Sequence, residues 1–169
     1  MHDELTKKDL EKMQAELDER RLKLMPELIE EVKRTRAFGD LSENYEYKAA
    51  KQAQNRNRNK SRIRYLEKMI ESATVYEDTS GADEVGLYDS VELYIPEDDE
   101  INTVQVVTTV RCDPLSGRIS KESPLGRLLL GKKVGDRFTV QVNDAYSYTA
   151  EVRSITKGED DGSAALLQY

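Results

Sequence analysis

The hydrophobic pattern changes its period once, near residue 74, and this change limits the possible folds more than any other feature of the chain. From Leu5 to Ala73 there is one proline, almost no glycine and no alternation. Leu10, Met13, Leu17, Leu24, Leu28 and Val32 recur at three-, four- and seven-residue steps, an apolar seam along one helix face. Thr6 is placed to cap the start of this helix. Pro26 falls inside the pattern and is expected to kink it, because it lacks an N–H and its ring crowds the preceding turn. The pattern breaks at Phe38-Gly39-Asp40. A second helical stretch is expected from about Asn44 to about Ala73, with Ile63, Leu66 and Ile70 matching the start of the first helix if the two run antiparallel. The expected element is a helical hairpin over residues 1–74 with its tip at 39–43. Arms of ~30 residues at 1.5 Å each make a rod roughly 45 Å long.

After Thr74 the period becomes two. Ser90–Ile95, Arg137–Val142 and Tyr148–Val152 alternate, and Val104–Val110 is a further β-rich run. Pro96-Glu97-Asp98-Asp99-Glu100 is expected to turn one hairpin, and Asn143-Asp144 to open another. Ser123-Pro124-Leu125-Gly126 opens a short helix, with Ser as cap and Pro at the first helical position, and Gly131 closes it. The expected fold class is α+β, a helical hairpin followed by a small antiparallel sheet with one short helix over residues 75–157. Residues 158–169 are expected to form a flexible tail.

Composition excludes several function classes. No N-terminal apolar region and no run of ~18 apolar residues is present, so neither secretion nor a membrane partner is expected, and the compartment expected is the cytoplasm. The lone Cys112 allows no internal disulfide. With His2 as the only histidine, a His/Cys metal cage is ruled out. Without a secretion signal, Asn59-Lys60-Ser61 has no meaning as a glycosylation sequon. Residues 1–73 carry 17 Lys+Arg against 15 Asp+Glu, and the remainder carries 9 against 18. An acidic second half does not suit a protein that coats nucleic acid, so nucleic-acid contact is expected to be local and in the first half.

At the tip, Asp40 and Glu43 lie three residues apart around a turn, with Ser42 between them. Two carboxylates and a hydroxyl suit a hard cation such as Mg²⁺, but they cannot complete six-fold coordination, so the other ligands must come from a partner. The alternative is local: Ser42 caps the second helix, and both acids complement its positive N-terminal end. From Tyr47 to Leu66 the second helix has no acid but carries Lys48, Lys51, Arg56, Arg58, Lys60, Arg62 and Arg64. These form either a basic collar that attracts phosphate or a solvated face whose cations pair with Glu11, Glu16, Asp18, Glu19, Glu27, Glu30 and Glu31 across the hairpin.

The tip Gly39-Asp40-Leu41-Ser42-Glu43-Asn44, followed by Glu46-Tyr47 and Ala49-Ala50, resembles the signature of the Gre bacterial transcription elongation factors. A second block resembles that family's C-terminal domain: Asp113–Ser120, Ser123-Pro124-Leu125-Gly126, and Gly131-Lys132-Lys133-Val134-Gly135-Asp136. The resemblance implies an FKBP-like fold for the second domain. It also implies an accessory factor, not itself an enzyme, that enters the secondary channel of RNA polymerase and stimulates cleavage of backtracked transcripts. Asp40 and Glu43 match the acidic pair that helps hold a second Mg²⁺ shared with the polymerase, and Ser42 the hydroxyl between them. Arg36 and Lys51 match basic positions flanking the tip, and Lys48 is added to them as a contact to the nascent RNA 3′ end or to polymerase. The Ser123-Pro124 turn is the candidate grip on the channel rim. The chain is expected to act as a monomer with no cofactor of its own. Tyr45 departs from the small residue expected there, and it either packs between the arms or stacks on a base. Three other readings compete: a channel-binding regulator that inhibits polymerase without promoting cleavage, a stand-alone prolyl isomerase and a structural coiled-coil adaptor. Only two phenylalanines and no tryptophan speak against the isomerase, and the adaptor leaves the tip signature unexplained.

Overall fold

The structure is a computed structural model that describes residues 4–37 and 43–168, and of Glu43 and Asn44 only the backbone. The chain divides into two compact units, one spanning Leu10–Ala73, the other joining the segment that ends at Asp9 to Thr74–Gln168. The fold is α+β.

The first unit holds most of α1 (Lys7–Glu19), from Leu10 onward, a π-helical turn (Arg20–Leu24), α2 (Met25–Ala37) and α3 (Glu43–Ser72). Thr35 meets Gln52, Arg20 meets Asn59 and Glu16 meets Arg62, so position falls along one arm as it rises along the other. The arms are therefore antiparallel. Buried or half-buried positions on the second arm run Tyr45, Ala49, Gln52, Arg56, Asn59, Ile63, Leu66 and Ile70, a strict alternation of four- and three-residue steps. The first arm runs Leu10, Met13, Leu17, Arg20, Leu24, then Leu28, Val32 and Thr35, which slips by one residue after Leu24. The π turn absorbs that slip: the Met25 N–H donates to Arg20 O, one residue further back than in an α-helix. Pro26, expected to kink the helix, follows directly. It has no N–H to offer Leu22 O, so the wider turn sits where an ordinary hydrogen bond would have been lost anyway.

The second unit contains β1 (Glu4–Leu5) and β2 (Thr74–Val75), paired in parallel, and a five-stranded sheet. The sheet is built from β3 (Ser90–Ile95), β4 (Glu100–Val107), β5 (Arg118–Ser120), β6 (Arg137–Asn143) and β7 (Tyr146–Thr156), in the order β5-β4-β3-β7-β6. The turns expected at 96–100 and from Asn143-Asp144 are found at 96–99 and 144–145, joining β3 to β4 and β6 to β7, with Glu100 and Asn143 inside the strands. The sheet is not purely antiparallel, because β5 runs parallel to β4. Between them two 3₁₀ turns, Thr109–Arg111 and Pro114–Ser116, reverse the chain, and Gly117 leaves the second at φ 72°, a left-handed value that glycine adopts without steric cost. The helix α4 (Pro124–Leu129) is capped as expected: Ser123 Oγ accepts from Gly126 N at 3.0 Å. A Cβ on Gly126 would come within 2.1 Å of Ser120 O, so only glycine lets α4 approach β5 this closely. The core gathers Val85, Leu87, Tyr88, Val91, Leu93, Val106, Val107, Leu129 and Val152.

Two features of this unit lie outside the sequence reading. Thr6 caps α1 as expected, but within a reciprocal box: Thr6 Oγ1 accepts from Asp9 N, and Asp9 Oδ2 accepts from Thr6 N at 3.0 Å. The last residues, expected to be a loose tail, have no helix or strand yet are held by specific bonds. Gly158 N donates to Asp89 Oδ1 at 2.9 Å, Arg111 binds Asp160 and Ala164 O, and Leu167 N donates to Val110 O at 2.8 Å. Among the described residues, no helix is long and apolar enough to cross a membrane.

Candidate functional site

Between the two antiparallel arms lies the connection that carries Gly39-Asp40-Leu41-Ser42-Glu43. Asp40 and Ser42 fall outside the described residues. Glu43 begins α3, with its backbone alone described.

Close to this connection the described charged side chains are mostly cationic, with Glu46 the exception. Arg36, in the last turn of α2, is exposed, as are Lys48 and Lys51 on α3. Of the seven basic residues between Tyr47 and Leu66, Arg62 is the one that pairs across the hairpin among the described residues. It is 7% exposed and binds both oxygens of Glu16 at 2.9 Å. Arg20 binds the same carboxylate at 2.7 Å. Burial pushes the Glu16 carboxyl up, but hydrogen bonds and charge from Arg62 and Arg20 outweigh it and hold the pKa below its ordinary value. Among the described residues Lys48, Lys51, Arg56, Arg58, Lys60 and Arg64 take part in no ion pair, so pairing across the hairpin accounts for one cation of the run.

The arms also enclose a crevice that sequence reading did not single out, lined by Val32, Thr35, Arg36, Tyr45, Ala49, Gln52, Ala53 and Arg56. Tyr45 is half-buried here, between the arms, while Tyr47 is 66% exposed. The signal for Arg56 was available in its spacing: it lies seven residues from Ala49 on the seam.

In the second unit, the Ser123 hydroxyl is already engaged, accepting from Gly126 N and donating to Ser120 O at 2.7 Å. Pro124 beside it is exposed.

Comparison with known proteins places the chain in a family. Residues 4–75 match the family model described as "Transcription elongation factor, N-terminal", and residues 79–157 match "Transcription elongation factor, GreA/GreB, C-term". Transcription elongation factor GreA of Lactococcus lactis subsp. cremoris (strain MG1363) is 42% identical over 133 residues, covering 78% of this chain and 84% of that protein. The GreA of Geobacillus kaustophilus is 42% identical over 138 residues, covering 81% and 86%. A solved structure of GreA factor homolog 1 of Thermus thermophilus, 27% identical, aligns over 93% of this chain and all of that one with a TM-score of 0.44. The chain belongs to the GreA/GreB family of transcription elongation factors.

Proposed function

We propose that this protein acts on bacterial RNA polymerase in the cytoplasm as a monomeric accessory factor that stimulates hydrolysis of a backtracked transcript. One observation carries the reading: in a GreA/GreB family chain, an intact Asp40-Leu41-Ser42-Glu43 occupies the connection between two antiparallel helical arms.

On this reading Asp40 and Glu43 offer carboxylate oxygens, hard donors suited to Mg²⁺, and the partner's ligands complete the site. Mg²⁺ shared with the polymerase would polarise the scissile phosphate and acidify a bound water. Asp40 and Glu43 orient that water by accepting its hydrogen bonds, and Ser42 adds a hydroxyl that can donate or accept beside them. Arg36, Lys48 and Lys51 draw the phosphate backbone of the nascent RNA 3′ end toward the acidic turn. The second unit supplies grip through the exposed Pro124. Ser123 shapes this turn through its backbone and its capping hydroxyl, which leaves the contact itself to its neighbour.

The test uses stalled polymerase complexes holding labelled RNA. The wild-type protein should shorten the RNA in these complexes and leave free RNA intact, while Asp40→Asn and Glu43→Gln should still bind polymerase and lose the stimulation. Inhibition of polymerase with no shortened product would replace this reading with that of an occluding regulator.

A further inference from the structure

The crevice between the arms contains a charged group that the hairpin itself leaves unsatisfied. Arg56 lies on the α3 seam, and its Nε is cut off from solvent with no hydrogen-bond partner. A guanidinium has only donors, and a buried donor without an acceptor is costly. Arg36 lines the same crevice from α2, and among the described residues neither arginine makes an ion pair. No acid is among the described lining residues. Gln52 adds a further donor: its Nε2 gives one hydrogen to Thr35 Oγ1 at 2.8 Å, and an amide has a second. Ala49 and Ala53 keep side-chain bulk out of the space. The cavity measures about 80 Å³. On this measure one water needs about 10–15 Å³, so the space holds several waters or one tetrahedral oxyanion.

We propose that this crevice is an oxyanion site that takes one phosphate group, held by the forked donors of Arg56 and Arg36 with the Gln52 amide beside them. Guanidinium groups present parallel N–H donors that match two phosphate oxygens at once, which a lysine at either position could not do. The phosphate could arrive as a free group or as part of a strand, and the chemistry recognised is the same. The site does not depend on the cleavage reading. It is measured on the isolated protein, whereas cleavage is read in polymerase complexes, so either can fail without the other.

The experiment titrates inorganic phosphate into the full chain, at ionic strength held constant with sodium chloride, while NMR follows the arginine Nε–H signals. The Arg56 signal should shift and saturate with a dissociation constant on the order of 1 mM. Arg56→Gln should weaken binding at least about tenfold as read on Arg36, and Arg56→Lys, which keeps charge but loses the fork, should fall between. Circular dichroism checks that each variant keeps its helices, and the wild-type titration stands without them. An Arg56 signal that does not move, or moves in proportion to added chloride without saturating, overturns the proposal. A short single-stranded RNA without terminal phosphates identifies the source: displacement of bound phosphate assigns the site to a strand, and no displacement assigns it to free phosphate groups.

Discussion

Replacing Arg111 with alanine should be among the most damaging single changes to the second unit. The side chain is 1% exposed and holds three acceptors: Asp9 Oδ1 at 2.7 Å, Asp160 Oδ2 at 3.3 Å and the Ala164 carbonyl. Asp9 is itself 0% exposed, and its other oxygen accepts from Thr6 N. Without the guanidinium, a buried carboxylate keeps one backbone donor, and removing one partner of such a pair costs roughly 3–5 kcal/mol. In a unit of roughly 100 residues each kcal/mol lowers the melting midpoint by at least about 4 °C, so a fall of at least ~12 °C is expected. Because the chain has two units, a single global fit is unsafe. The loss should be read on the amide signals of Val91 and Val152, which lie in the core of that unit. Asp9→Asn combined with Arg111→Met removes both charges at similar volume and should cost less than Arg111→Ala alone. If Arg111→Ala costs less than about 1 kcal/mol, or the two sites behave additively, the buried pair is not what holds these segments together.

Other expectations follow from the same contacts. Deleting the chain beyond Gly158 removes Asp160 and the Ala164 carbonyl but spares Asp9, so it should destabilise the second unit by less than Arg111→Ala, measured on the same amides. Glu16 has a lowered pKa in the hairpin, so its contribution is complete above its unfolded value near 4.5 and is lost as pH falls through the lower folded value. Thermal midpoints of the hairpin from about pH 6 to about pH 3 should show this loss, and Glu16→Gln should flatten the curve. Charge reversal at Lys51 should impair transcript cleavage more than reversal at Arg64. The two exposed cations lie roughly 10 and 30 Å along α3 from Asn44, about one screening length of ~8 Å against nearly four at physiological salt, so Arg64 is screened far more strongly than Lys51. An equal loss would instead point to a diffuse collar. Ser123→Ala should cost about 1 kcal/mol through the lost α4 cap, seen in unfolding, while a substitution at exposed Pro124 should spare stability and weaken polymerase binding.

The parts of this fold that could be read in advance are those whose cause is local. Both arms follow from three- and four-residue spacing, and the Thr6 and Ser123 caps follow from a hydroxyl placed just before a helix. Strand direction has no such signature. Arg118–Ser120 runs parallel to β4 because two 3₁₀ turns reverse the chain between them, while alternation marks only which residues share a face. Arg111 was equally hidden, since its partner Asp9 lies 102 residues away and a lone arginine after a strand looks solvated. The second arm shows a different limit. Treated as a run of like charges, Arg56 was indistinguishable from Arg58 or Arg64, although Tyr45, Ala49, Gln52, Arg56 and Asn59 continue the seam of Ile63, Leu66 and Ile70 at unbroken four- and three-residue steps. Spacing therefore assigns Arg56 to the interface, but an apolar count discards it because it is charged. In the half of the seam near the connection, Gln52 and Asn59 find partners on the opposite arm in Thr35 and Arg20. Arg56 Nε finds no acceptor there among the described residues. A coiled-coil seam that keeps a guanidinium gives up packing free energy at that position. Seam position and charge together therefore mark Arg56 as the position where this interface departs from pure packing, the feature on which the proposed oxyanion site rests.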